Sequence, residues 1–343
     1  MSQLRVPPPV PHAPPLRALL RRYAAGSAVS CAPVDEGLLN RGYRLCTTRG
    51  RYFLKHHFDP ETADPAAITR QHRATLRLAG LGVPVAPPLP ARDGRTVVVV
   101  GGHAFALHPW IDGRHRHGGQ LSPPQCGRLG ALLGAVHHGL ERVMPAHGRT
   151  AAAPARSADP ADTLALIDDL LARVRRHRPA DSFDALARHR LLERRVLLER
   201  HAHRRPPRGG AVGWVHGDFH PFNLLYRGDA PAAIVDWDRL GVQPRAEEAV
   251  RAAAIFFVRP AGTLDLSRVR SFARAYRGAS AATPSELAAA VHRVWWERLN
   301  DFWMLRWHYE RADTRADAQF PAAAALAVWW TREYDAVCDA FVD

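Results

Sequence analysis

The sequence predicts an α+β fold of two lobes: a small antiparallel-sheet lobe with one helix, then a larger, mostly helical lobe. Three observations carry this. Residues 28–110 read as short strands bounded by turn residues, interrupted by a single helical stretch. From residue 121 onward the apolar spacing is helical almost throughout. At 343 residues the chain exceeds one average domain and has room for two.

The elements follow in order. Residues 1–15, MSQLRVPPPVPHAPP, form a proline-rich stretch without an apolar run and read as a flexible, partly extended tail, not a signal peptide. LRALLRRYAAG (16–26) has helical spacing and a glycine stop. VSCAP, YRLCTT and RYFLKHHF read as three strands, with TRG turning the second into the third. PAAITRQHRATLRLAGLG is a helix with Ile68, His72, Thr75/Leu76 and Ala79 on one face. RTVVVV and HAFALHPW, around a GG turn, complete five strands. A linker near 109–118 leads to helices over 121–142, 163–178 and 182–203. Two short strands, NLLYR and AAIVDWD, precede a C-terminal third that reads as helical throughout. The lobes divide into 16–110 and 111–343.

Composition removes several function classes. Hydrophobic residues make up 47% of the chain, as in a globular protein. Cys31, Cys46, Cys126 and Cys338 form no Cys-x-x-Cys pair, which argues against a zinc ribbon or disulfide framework and fits a reducing, cytoplasmic setting. No apolar run approaches the ~18 residues needed to cross a bilayer, so no membrane partner is expected. The net charge of +14 comes from arginines spread through every segment, without aromatics interleaved for base stacking, so no nucleic-acid partner is expected either. Residues 283–343 run the other way, with ten acids against six arginines. Ordinary solvated helix faces account for this; a cation-attracting substrate pocket is the alternative.

The motifs lie in VHGDFHPFNLLY (215–226) and AAIVDWDRLG (232–241). The first has the spacing His216-x-Asp218-x₄-Asn223; the second places Asp236 after an apolar run, far enough on for a hairpin between. Phosphoryl transfer needs such a set: one carboxylate to orient a hydroxyl and take its proton, and an amide and a second carboxylate to hold a metal on nucleotide phosphates. Magnesium prefers oxygen ligands and keeps several waters, so one Asp and one Asn suffice. A His-x-Asp-x-His metal site of a hydrolase is a competing reading, but it leaves Asn223, the second carboxylate strand and Lys55 unexplained. Lys55 is the single lysine among 47 basic residues, and a compact ammonium does not do the work of a guanidinium fork.

With these residues in view, the chain resembles the superfamily of aminoglycoside phosphotransferases, choline kinases and type II homoserine kinases, from about Leu16 to the C-terminus. That resemblance implies a protein-kinase-like bilobal fold. It implies ATP as phosphoryl donor, with GTP as the alternative, and Mg2+ as cofactor. The acceptor would be a small-molecule hydroxyl of the aminoglycoside, amino alcohol, homoserine or sugar type. By position, Asp218 resembles the catalytic base, His216 the residue bracing its loop, and Asn223 and Asp236 the metal ligands. Asp238 is either a second metal contact or a loop anchor. Lys55 resembles the lysine that reaches the nucleotide phosphates. Gly37 and Gly42 resemble the turn that covers the phosphates, with Asn40 as a further contact. Backbone groups from His108 to Trp110 resemble the segment that binds the purine, with Val29, Leu38, Phe53 and Leu107 as apolar candidates around it. His220 belongs to the pattern without an assigned role and is a candidate acceptor contact.

Two features depart from or extend the pattern. Kinases of this fold carry a glutamate on the helix after the lysine strand; between Pro65 and Gly82 this chain has neither Glu nor Asp. Gln71 is the nearest isostere, with Glu61 and Asp64 as alternative carboxylates. Six of the nine tryptophans fall in 295–330. They read as helical core or, alternatively, as an aromatic wall with Trp303 facing the acceptor and Glu297 or Asp301 reading a cation. The activation-loop signatures of protein kinases are absent from the sequence. The second functional reading is a kinase-fold binding or regulatory protein with weak or no catalysis. A monomer or homodimer is expected.

Overall fold

The computed structural model describes residues 13–34, 40–58, 63–145, 157–207 and 212–343. The chain begins with α1 (Leu16–Tyr23) and a five-stranded antiparallel sheet in the order β1-β2-β3-β5-β4. Its strands are β1 (Ala28–Val34), β2 (Arg41–Thr47), β3 (Gly50–His57), β4 (Val98–Val100) and β5 (His103–Pro109), with α2 (Pro65–Gly80) between β3 and β4. Asp64 caps α2 by accepting from the Ala66 and Ala67 amides, and Pro65 sits at the first helical position, where a missing N–H costs nothing. Leu19, Leu20 and Tyr23 of α1 and Leu45, Leu54, Phe105 and Leu107 of the sheet form this lobe's own core.

The second lobe contains α3 (Pro123–Val143), α4 (Pro160–Arg176), α5 (Ser182–His201), β6 (Val212–Val215), β7 (Leu224–Arg227), β8 (Ala230–Ile234), β9 (Gly241–Pro244), α6 (Arg245–Phe257), α7 (Leu266–Ser280), α8 (Pro284–Asn300), α9 (Trp303–Arg311), α10 (Phe320–Arg332) and α11 (Tyr334–Val342). Its core includes the fully buried Trp295, Trp296, Trp330, Phe256, Phe272 and Tyr276. α3 packs closely on α7 because Gly130 leaves room for the Phe272 carbonyl and Gly134 for Tyr276 and Ala279.

Two pairs of short strands frame the motif segments. β7 and β8 form the hairpin between Asn223 and Asp236, and β6 pairs antiparallel with β9 from Val212–Pro244 to Val215–Gly241. Sequence reading found β7 and β8 but not β6 and β9, which no shared turn marks as a hairpin. The lobes meet where Val85 bridges Ile234, with the Ile234 amide donating to the Pro84 carbonyl at 2.8 Å; just past the boundary Arg114 bridges Tyr226. No helix among the described residues is long and apolar enough to cross a membrane.

Candidate active site

The loop from His216 to Asn223 leaves β6 and enters β7. Gly217 has φ +86°, the left-handed region, and a Cβ there would run into the Arg239 carbonyl, so only glycine fits. Its amide and that of His216 both donate to the Glu248 carboxylate, the latter at 3.2 Å. Glu248, buried in α6, also accepts from His137 Nε2 at 2.7 Å, and the Tyr276 hydroxyl lies 3.0 Å from His137 Nδ1. Burial pushes the Glu248 carboxyl up, but His137 and the other donors outweigh it and hold the carboxyl below its ordinary value. The carboxylate is therefore a fixed acceptor for the loop's backbone.

His216 is fully buried. Its Nδ1 accepts from the Asp218 amide at 3.2 Å, so its proton sits on Nε2, which donates to the Val235 carbonyl at 3.0 Å. Desolvation lowers its pKa, keeping the ring neutral. One imidazole thus ties the Asp218 loop to the residue before Asp236.

The Asp218 carboxylate is partly exposed, 3.5 Å from His220 Nε2 and 3.8 Å from Arg239 Nε. His220 Nδ1 accepts from the Phe222 amide at 3.2 Å, and its Nε2 faces both Asp218 and, at 3.2 Å, Asn223 Nδ2. Desolvation acts to raise the Asp218 pKa, but His220 and Arg239 overcome it and lower it. Asn223 donates from Nδ2 to the Asp218 carbonyl at 2.9 Å, which orients its amide and turns Oδ1 away from that carbonyl.

Across the cleft, Lys55 Nζ lies 2.7 Å from Asp236 Oδ1 and 2.7 Å from Asp238 Oδ2. Burial opposes the ammonium, yet the two carboxylates together raise its pKa, and Lys55 is charged. Asp236 is lowered in turn by Lys55, against its own desolvation. Desolvation, with Asp236 as a like charge beside it, raises Asp238. Asp236 takes φ +58°, an uncommon conformation for a non-glycine residue. Asn40 Nδ2 donates to Asp238 Oδ2 at 2.6 Å, and Gln71 Nε2 donates to the Asp238 main-chain carbonyl at 2.9 Å. The carboxylates beside Lys55 therefore come from the opposite lobe. Gln71 does not meet the lysine; it anchors the Asp238 backbone. Asp64 is committed to capping α2, and Glu61 lies outside the described residues.

The model of the phosphotransferase enzyme family matches residues 30–290, about three quarters of the chain. The chain belongs to this family. Among curated proteins it is 25% identical over 292 residues to the homoserine kinase of Methylobacillus flagellatus, covering 83% of each chain. It is 32% identical over 120 residues, 34% of each chain, to that of Burkholderia multivorans. Among solved structures it resembles a microcompartment-associated aminopropanol kinase, with a TM-score of 0.62 and 17% identity, covering 95% of this chain and 98% of that one. Amicoumacin kinase in complex with AMP-PNP, Ca2+ and amicoumacin gives 0.61 and 16%, covering 94% and 92%. These likenesses establish the bilobal kinase-like fold.

The remaining predicted residues of this phosphotransferase fall in several places. Gly42 is in β2, directly opposite Lys55 in β3, and not in the covering turn. Its missing side chain makes room for the Phe53 ring, which a Cβ would approach to 2.6 Å. Gly37 and Leu38 lie outside the described residues. Val29, in β1, is 70% exposed. His108 Nδ1 donates to the Ala86 carbonyl, Trp110 stacks under the Arg44 guanidinium, and the Trp110 amide donates to the Arg51 carbonyl.

The aromatic run over 294–310 is divided between two helices, α8 and α9. Asp301 breaks it by accepting from the Trp303 amide at 3.0 Å. Trp296 is core, its indole donating to the Ala158 carbonyl. Trp303 stands edge-on to Trp307. Asp301 and Trp303 line a cavity with Arg190, Arg194 and Arg298; burial raises the Asp301 pKa, against the lowering effect of Arg298 and Arg194. Glu297 holds Arg251 at 2.9 Å, and Arg251 also holds Glu247.

Glu248, His137 and Arg239 were missed. A signal for Glu248 existed: α6 is apolar on nearly every side, and a glutamate on a core helix needs donors.

Proposed function

We propose that this phosphotransferase moves the γ-phosphate of ATP to the hydroxyl of a small molecule, with homoserine as the first candidate acceptor. The observation that carries the reading is the convergence of Asp218, Asn223, Asp236 and Lys55 on one cleft between the lobes. Asp218, kept ionised by His220 and Arg239, orients the acceptor hydroxyl and takes its proton. Lys55 keeps Asp238 as its anchor and exchanges Asp236 for nucleotide phosphates. His216 and Glu248 hold the loop backbone, so that Asp218 is aimed before substrate arrives.

The donor set fits Mg2+: the Asp236 carboxylate is accessible in the cleft, and the Asn223 amide has spent its nitrogen on the Asp218 carbonyl. Asn223 and Asp236 would hold the ion, which when bound neutralises charge on the transferring phosphoryl group. Asp238, fastened by Lys55, Asn40 and Gln71, fits the loop-anchor role.

Homoserine is favoured by the curated relatives and by a cavity lined by Arg114, His115, Arg116 and Gln120. This cavity adjoins the catalytic loop, since the Phe222 ring lies 6.0 Å from His115 and 5.5 Å from His117. Arg116 is already paired with Asp229 at 3.2 Å, so it is Arg114 that suits an acceptor carrying a carboxylate over a polycationic aminoglycoside. ADP release measured across homoserine, aminopropanol, a sugar and an aminoglycoside tests this. Turnover with homoserine above the others is expected; selective turnover of the aminoglycoside would overturn the acceptor assignment.

A further inference from the structure

Among the described residues, one group of three histidine and acidic side chains offers ligand atoms that all lie within 4.8 Å of one another: His177, Asp184 and His308. It shares no residue with the phosphate-transfer site and joins segments distant in sequence. His177 caps the C-terminal end of α4, Asp184 lies in the first turn of α5, and His308 lies in α9.

The geometry points to a zinc site here. Three features distinguish the group from a chance meeting of polar side chains. First, the ligand atoms are held from behind. His308 Nδ1 lies 2.8 Å from Asp317 Oδ2 and its ring stacks on Phe183 with centroids 4.3 Å apart. A carboxylate on Nδ1 fixes the proton there and presents the Nε2 lone pair, the arrangement seen behind metal-bound histidines. Asp184 accepts the Tyr309 hydroxyl on Oδ1 at 2.7 Å and the Asp181 amide on Oδ2 at 3.0 Å, which fixes its plane.

Second, the spacing suits a four-coordinate ion. His177 Nδ1 and Asp184 Oδ2 are 2.9 Å apart. Ligands on a tetrahedral zinc with bonds of about 2.0–2.1 Å stand roughly 3.3 Å apart. This pair needs to open by a few tenths of an ångström. No pair is more than 4.8 Å apart, so the widest needs to close by at most about 1.5 Å, within reach of χ rotations of His177, whose side chain is 37% exposed. Zinc takes the place of the proton between His177 Nδ1 and Asp184, and that proton moves to Nε2, so the ring binds as a neutral imidazole. The exposed side of His177 leaves the fourth position to water.

Third, the ligand chemistry selects the ion. Two imidazoles and one carboxylate suit zinc, whereas magnesium takes an all-oxygen set such as Asn223 and Asp236. Asp317 Oδ1, buried without a hydrogen-bond partner, belongs to the carboxylate behind His308 and not to the ligand set. Bound zinc would tie the α4–α5 turn to α9.

The test uses the full chain without an affinity tag, treated with EDTA and titrated with Zn2+, and with Co2+ as a spectroscopic probe. One equivalent should bind, Co2+ should show the intense visible bands of a four-coordinate nitrogen and oxygen site, and the melting temperature should rise with zinc. His308→Gln and His177→Gln should abolish the bands and the zinc-dependent shift. Asp317→Asn should weaken zinc binding about 10–100-fold. His177→Gln changes a partly exposed helix cap, and its circular dichroism confirms folding before titration. Absence of stoichiometric zinc binding by the wild-type chain, or equal binding by the folded His177→Gln and His308→Gln variants, would overturn the site.

Discussion

Lys55 lies between two aspartates of the opposite lobe, and Gln71 holds the backbone of one of them. The sequence made the lysine visible because it is alone among 46 arginines, and made Asp218, Asn223, Asp236 and Asp238 visible by spacing. It could not show that Lys55 draws its carboxylates from across the cleft, since that pairing spans 181 residues. A missing acid on α2 reads from sequence as a weakened lysine anchor; the geometry places Asp238 in that role. This reverses the expected effect of restoring a helix glutamate. Gln71→Glu sets a carboxylate oxygen against the Asp238 carbonyl and removes the 2.9 Å bond. It should lower kcat by about tenfold or more, equal to ~1.4 kcal/mol, with steady-state kinetics as the measurement. An increase in kcat would show that Gln71 is a defective glutamate after all. Glu248 escaped sequence reading for a different reason: its three donors come from the loop backbone and from α3, and only the folded packing brings them together.

The long helices were legible because each repeats its period long enough to be counted, and the five strands of the first lobe because turn residues bound them. β6 and β9 were not, because no shared turn marks them as a hairpin and their pairing joins segments on either side of the whole motif region. The run from Trp295 to Tyr309 has helical spacing throughout, and only the side chain of Asp301 folding back to the Trp303 amide ends α8. Close packing of α3 on α7 rests on Gly130, where a Cβ would collide with the Phe272 carbonyl. Backbone is the least yielding neighbour a new methyl can meet. Gly130→Ala should therefore destabilise the protein by about 3 kcal/mol through overpacking, despite its better helix propensity. Urea unfolding reads this directly; a neutral or stabilising result would mean that the two helices separate freely.

At the scale of the whole molecule, the lobes are joined by charged and polar contacts across the cleft, and the sheet lobe carries neutral histidines behind Lys55. Burial lowers His72 to about 3 and His108 to about 4, and His57 well below 6.5. Unfolded, these histidines titrate near 6.5. Between pH 6.5 and 4 the unfolded chain takes up protons that the folded chain refuses, so stability is lost as pH falls through this window. His72 and His108 should each cost about 2 kcal/mol between pH 7 and pH 5. The urea midpoint at the two values checks this, and an unchanged midpoint would mean that these rings are protonated in the fold. The central claim concerns Asp218, and the most direct measurement compares Asp218→Asn with the wild-type chain in magnesium-dependent ATP turnover and in nucleotide affinity. The account predicts that turnover falls by about 10³-fold or more, as expected when a base is lost from a preformed site, while nucleotide affinity stays within a few-fold. Turnover equal to wild type in that variant would contradict it.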